Sequence, residues 1–515
     1  METGVFKEKS KLSRFELIFL IAAATVTITF VSTCSPLYPF NPWDDVNVFF
    51  TMGRGIKHGL VPYKDIFDHK GPLLYFFFTL AALISEKSFV GVWIIECIAA
   101  SVFAVFSWKT VKLFISPSKA SIIVTPLFLG VVYSIKMFNF GGNTEELCFP
   151  LLTIALYLGL QSIVNGDGLP ANKEAFICGL ISGALFWIKY TFLGFMIGFC
   201  IYILCLCIKR KSFARLWSLI WRFLIGFIAL TVPILLYFLI TGSLRYLYEA
   251  YFYINIFLYQ SDAQGYWITS IPVVKNIVVP IHSIGVTMIT FPAFGVMLTS
   301  SLLSLFLINK QHRKKSVFLC LSTFVFSAFF IFTRASFIFY YGYLFSYVFG
   351  FALIPVIIIW NSAEKIFKQN LRFIRIFLSL VFFVFYGLSV FLCKNMYLIF
   401  QPDSFLAQFR MAETINQTAD AKLLTYDVMD AGFYTAAGLM PCNRYCAAKQ
   451  FGDSYPQLQE EQDRLIQEGY FDYIVTGYFC EAVWDNYELV QEEAIPYIDH
   501  TGEEILDGYK LYKKI

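Results

Sequence analysis

Apolar residues in this chain come in long unbroken runs, not at the intervals of a half-buried helix or strand. Twelve such runs stand out, near 15–33, 71–85, 88–108, 119–138, 146–165, 175–189, 191–208, 216–240, 283–308, 316–333, 336–360 and 373–393. A helix needs about twenty apolar residues to cross a bilayer, and most of the runs come near that length. The run at 71–85 is shorter, and only Glu86 and Lys87 separate it from the next. It predicts a re-entrant or interfacial helix on the outer leaflet, which leaves eleven crossings.

The basic residues give the sidedness. Were all twelve runs to cross, Lys109, Lys112 and Lys119 would face outside, with the later basic loops inverted as well, against the positive-inside rule. With eleven, these three join Lys173, Lys209-Arg210-Lys211, Arg215, Lys310, Arg313-Lys314-Lys315, Lys365, Lys368 and Arg372 on the cytoplasmic side. The N-terminus is then inside. The segment 34–70, the loop Asn143-Thr144-Glu145-Glu146, the segment 242–282, Arg334 and everything after about 396 are outside. No A-x-A site follows the first run, so it predicts an uncleaved helix and not a signal peptide.

Composition agrees with this pattern. The 515 residues are 58% hydrophobic and 19% aromatic, with a mean hydropathy of +0.63, which predicts a polytopic α-helical membrane protein of about eleven spans. The net charge of +4 gives no reason to expect nucleic acid as a partner. Residues 1–395 form the membrane domain. The acidic, turn-rich stretch 396–515 predicts a small extracytoplasmic α/β domain, with strands at 423–426, 473–476 and 509–512 and an amphipathic helix over 455–468. Most of the twelve cysteines sit in apolar runs as small hydrophobes. Cys442 and Cys446 could bridge each other, or either could bridge Cys480, if the region is outside the cytoplasm, and the spacing leaves the connectivity open.

Against this background the polar residues of the external segments carry the chemistry, because charge beside a bilayer is costly. Asp44-Asp45 open a stretch, Val46 to Leu60, whose apolar residues have helical spacing, which predicts an amphipathic helix resting on the membrane surface. Helix capping explains one aspartate well and two less well. Asp65, Asp68, His69 and Lys70 precede Gly71-Pro72; Lys70 could anchor a helix end or place its ammonium at the level of a lipid phosphate. Gly141-Gly142-Asn143-Thr144-Glu145-Glu146 combines a tight turn with two acids at a helix start, where capping is again the structural alternative. Lys189 breaks a long apolar stretch at an external turn. Arg334 precedes Phe339-Tyr340-Tyr341. Several cations on one face suit a phosphate, and snorkelling is the alternative for each.

The order of these features resembles the GT-C membrane glycosyltransferases, the superfamily of protein O-mannosyltransferases and aminoarabinose transferases. The similarity lies in an acid soon after the first helix, Gly59-Leu60-Val61-Pro62-Tyr63, Lys70-Gly71-Pro72-Leu73 opening an interfacial helix, an acidic second outer loop, Lys189, and Arg334 with Tyr340-Tyr341. It covers most of residues 1–395. The resemblance implies a polyprenyl-phosphate sugar donor and an extracytoplasmic glycan or lipid acceptor, with inversion at the transferred carbon. Asp44, with Asp45 beside it, and Glu145 would be the catalytic acids. Lys70, Lys189, Arg334 and Tyr341 would hold the donor phosphate. Glu145 and Glu146 would hold a divalent cation such as Mg or Mn in a metal-dependent member, although Asn143-Thr144-Glu145-Glu146 is not the Asp-containing loop of those members. The rival expectation is a transporter or flippase of lipid-linked saccharides, which would carry its polar residues near the bilayer midplane.

Overall fold

The computed structural model describes residues 11–258, 272–332, 339–446, 455–498 and 504–515. The chain is 71% helical. Its main helices are α1 (Arg14–Val31), α2 (Asp44–Lys57), α3 (Pro72–Ile84), α4 (Val90–Phe114), α5 (Val124–Ser134), α6 (Thr144–Asn165), α7 (Asn172–Lys189), α8 (Leu193–Lys209) and α9 (Phe213–Ile240). They continue as α10 (Pro272–Thr290), α11 (Pro292–Ser304), α12 (Lys310–Phe332), α13 (Leu353–Ile366) and α14 (Leu371–Phe391). The tail adds α15 (Ala407–Ile415), β1 (Leu423–Tyr426), α16 (Pro456–Gln467), β2 (Tyr473–Gly477), β3 (Tyr487–Ile498) and β4 (Glu504–Lys514).

Among the described residues, eight helices are long and apolar enough to cross a membrane, or nine if the bent pair α10–α11 is one span. The run at 119–138 is a 3-10 turn followed by an eleven-residue helix. The run at 283–308 breaks, because Pro292 opens a new helix at 117° to the preceding one; proline removes a backbone donor and disfavours helical geometry in the residue before it. Helical residues continue from Asn172 to Lys209, but Lys189 is extended (φ −160°, ψ 99°) before a 3-10 turn. Ala175 of α7 then shares a buried cluster with Cys207 of α8.

The chain divides into two compact units. One comprises Met1–Ser32, Ile95–Pro233 and Ser261–Tyr397. Its helices meet through glycine. A Cβ on Gly179 would lie 2.0 Å from the Phe223 carbonyl oxygen of α9, and one on Gly198 would lie 2.3 Å from that of Ser322 in α12. Gly179/Gly183 and Gly194/Gly198 have the small-xxx-small spacing that lets membrane helices approach closely.

The other unit comprises Thr33–Ile94, Ile234–Gln260 and Leu398–Ile515. Here α2 packs on α3, Gly53 lying against the Phe78 backbone. The predicted amphipathic surface helix is buried along both faces: Asn47, Thr51 and Arg54 are as inaccessible as Phe49 and Met52. Thr51 donates to Asp430, while Arg54 donates to Thr435 Oγ1 (3.3 Å) and the Leu439 carbonyl (3.1 Å). Polar residues that sequence periodicity places on a wet face thus hold the tail. The tail's sheet has the order β1-β2-β4-β3, with β1 and β2 parallel and the other pairs antiparallel. Its three predicted strands and its helix are present. The fourth, β3, is an edge strand with a bulge between Leu489 and Gln491, and its Glu488, Glu492 and Glu493 give it little strand signature. None of the twelve cysteines forms a disulfide, Cys442, Cys446 and Cys480 included.

Candidate functional site

The segment between α2 and α3 builds the first polar cluster. Tyr63 sits at positive φ (68°), which turns the chain so that its hydroxyl donates to the Lys70 carbonyl at 2.6 Å. The Lys70 N–H donates to the Tyr75 hydroxyl (2.8 Å), which donates in turn to Asp68 Oδ2 (2.8 Å). Asp68 Oδ1 lies 3.2 Å from His69 Nδ1, and Lys70 Nζ lies 3.0 Å from His69 Nε2. Asn255 donates to the His69 carbonyl at 2.7 Å. Asp68 and His69 are buried.

Charge within this cluster follows from burial and contact. Burial and the Lys70 ammonium hold the His69 pKa below its ordinary value, so the ring is neutral near pH 7. Its Nδ1 faces Asp68 Oδ1 across 3.2 Å, and the Nε2 lone pair accepts from the Lys70 ammonium. Burial raises the Asp68 carboxyl, but the His69 ring beside it, the Lys70 charge and the Tyr75 hydroxyl outweigh it, bringing the pKa down to about 2. Lys70 is therefore a cation aimed by a histidine that an aspartate orients.

Asp44 and Asp45 occupy the first turn of α2, but Trp43 holds the cap position without a side-chain bond. Asn41 accepts from the Trp43 N–H (2.9 Å), while Asn47 donates to the carbonyls of Asn41 and Trp43. Trp43 thus holds the cap position, and asparagines bond the entry to the helix. Both are half-buried, and the charge of Asp45 acts on His69. The helix N-terminus favours carboxylates at these positions.

The second cluster lies in the other unit. Glu145 Oε1 pairs with Lys189 Nζ at 2.9 Å, and that ammonium stands 3.9 Å from the Tyr341 ring centre and 5.1 Å from that of Phe192. Three residues remote in sequence are thereby joined. Arg334 lies outside the described residues. Asn143 caps α6, accepting from the Glu146 N–H at 2.6 Å, and Glu146 Oε2 accepts from the Gly142 N–H at 3.0 Å.

That same N–H meets Glu96 Oε1 at 2.6 Å, and both Glu96 oxygens accept from the Ser32 hydroxyl (2.9 and 2.8 Å). Glu96 is fully buried within α4, and sequence reasoning passed it over. Its signal was plain enough: a lone acid in Trp93-Ile94-Ile95-Glu96-Cys97, inside an apolar run. Gly141 and Gly142 have φ of 89° and 74°, and a Cβ on Gly141 would meet Ser32 and Glu96, so the turn fits closely between these groups. Asn395 braces it as well, donating to the carbonyls of Val31 (2.7 Å) and Asn139 (2.9 Å). Lys394 bonds Asn139 Oδ1.

Glu145 and Glu146 therefore take different partners, an ammonium and a backbone N–H. No group of three His, Cys, Asp or Glu residues suited to a metal occurs among the described residues.

These helices and polar clusters describe, as a class, a helical membrane protein of several spans with a small four-stranded sheet at its C-terminal end. Comparison with models of protein families and with curated proteins gives no match.

Proposed function

We propose that this chain is a glycosyltransferase that moves a sugar from a polyprenyl-phosphate donor to an extracytoplasmic acceptor, with inversion. The topology that goes with this reading has eleven crossings, a cytoplasmic N-terminus and an external tail. The observation that carries it is the neighbourhood of Lys70. Its ammonium is oriented by the buried His69–Asp68 pair, and the charge of Asp45 acts on the same histidine. Phosphate departure needs a fixed cation where negative charge grows, and attack needs a carboxylate to take the acceptor proton.

In the step proposed, Asp44 or Asp45 accepts the hydroxyl proton. The acceptor oxygen bonds to the anomeric carbon as the bond from that carbon to the phosphate oxygen breaks. The electron pair leaves with the lipid phosphate, beside Lys70. Lys189 is already engaged by Glu145, so an anion would have to displace that carboxylate to reach it, and the proposal assigns no step to the pair.

The test is sugar transfer by the purified protein in lipid bilayers supplied with polyprenyl-phosphate sugars. Asp44→Asn or Asp45→Asn should lower the rate by about 10²–10⁴-fold, and Lys70→Ala should chiefly weaken donor affinity. Full activity in both aspartate variants would remove the base from the mechanism.

A second reading is a transporter or flippase of lipid-linked saccharides. It draws support from the pair that buried Glu145 makes with Lys189, from Glu96, and from the broken helix pair α10–α11. Movement of a labelled lipid-linked sugar across a vesicle membrane without sugar release would favour it.

A further inference from the structure

We infer that the cavity among α7, α8 and α9 binds an anionic phospholipid, with an acyl chain inside and the phosphate on the basic turn between α8 and α9. This site is separate from the residues proposed for sugar transfer and does not depend on that reading. The cavity has a volume of about 470 Å³ and is walled by Ala175, Cys178, Ser182, Cys200, Leu204 and Phe223 among others. Its walls are almost wholly apolar, and apolar cavities do not hold water. It is not sealed: Leu204, Ile220 and Leu224 are 42%, 39% and 38% exposed along its mouth. In a bilayer such an opening admits a hydrocarbon chain.

Two observations at one end select the head group. Trp217 and Trp221 are exposed and packed edge to face, their rings 5.6 Å apart, as interfacial tryptophans are. Leu216, between these helix ends, lines the cavity, so this end lies at head-group depth. The helix ends and turns at 167–174 and 209–215 carry Lys173, Lys209, Arg210, Lys211 and Arg215, with Asp167 and Glu174. Arg215 is held in place by Asn172 Oδ1 and by the carbonyl of Pro170, each at 2.6 Å, and Pro170 itself lines the cavity. Arg210 pairs with Asp167 at 2.6 Å, while Lys209 and Lys211 are exposed. A basic pocket between membrane helices suits an anionic head group.

Native mass spectrometry of the full chain, equilibrated with phosphatidylglycerol or phosphatidylcholine of the same acyl chains, tests this. The wild type should retain one phosphatidylglycerol, preferred at least about tenfold, since basic residues near the surface attract anionic head groups. Lys209→Glu with Lys211→Glu, both exposed positions, should bring the preference to about one. Cys178→Trp should remove the retained lipid by filling the cavity. Equal retention of the two lipids by the wild type, retention unchanged in both variants, or displacement of phosphatidylglycerol by a polyprenyl phosphate would each overturn the assignment.

Discussion

At the scale of single residues, the molecule uses buried histidine and aspartate to aim a lysine, and this makes it sensitive to acid. The folded His69 has a pKa below its ordinary 6.5, so the unfolded chain takes up that proton first and stability falls as pH drops below about 6.5. Asp68, held near 2 against an ordinary 3.8, contributes fully above its unfolded pKa. That contribution, about 2 kcal/mol, is lost between about pH 4 and 2. Thermal unfolding in detergent should therefore show a midpoint that declines steadily below pH 6.5 in the wild type and less steeply in His69→Asn. Parallel curves would mean that the histidine is not buried neutral. His69 and Asp68 were both visible in the sequence as polar residues in a greasy chain. Their order of contact was not, since it depends on the Tyr63 turn and on Tyr75 returning from α3.

At the scale of elements, close helix contacts rest on missing side chains. A Cβ on Gly53 would lie 2.4 Å from the Phe78 carbonyl carbon and 2.7 Å from the Thr79 nitrogen. These are backbone atoms, which cannot rotate away. Gly53→Ala should cost about 1–3 kcal/mol by overpacking. Gly387→Ala in α14 meets nothing within 4 Å and should be neutral or stabilising through helix propensity. Melting temperatures of the two variants decide the matter, and equal shifts would refute the tight α2–α3 contact. The helices themselves were legible from hydrophobic run length, which is why α1, α4 and α6 fall close to their predicted bounds. The break at Phe291–Pro292 was missed because run length counts apolar residues and is blind to a bend.

At the scale of the whole molecule, composition marks the tail as a separate piece after about 396, yet its residues form one compact unit with 33–94 and 234–260. Arg54 is 2% exposed and has its hydrogen-bond partners in the tail. Buried guanidinium groups are costly without partners. A chain ending at Tyr397 should accordingly show fast hydrogen exchange over 44–57, where the full chain exchanges slowly. Slow exchange in the shortened chain would make the tail dispensable for this helix. A second link points the same way: Arg444 donates to the Tyr63 carbonyl (2.9 Å) and to the Tyr445 hydroxyl (2.9 Å), and Tyr455 donates to Glu249 at 2.7 Å.

What the sequence determined alone is the material of the molecule: long apolar helices, a short helix behind Lys70, an α/β tail, and the polar residues worth watching. Those follow from solvent preference and local propensity, which each stretch of chain carries in itself. The partners were decided by the tertiary structure. It set Glu145 on Lys189 and Lys189 over the Tyr341 ring, brought Glu96 to the Gly141-Gly142 turn, and buried the polar face of α2 under the tail. Pairings of this kind depend on residues tens or hundreds of positions apart, and hydrophobic periodicity holds no information about them.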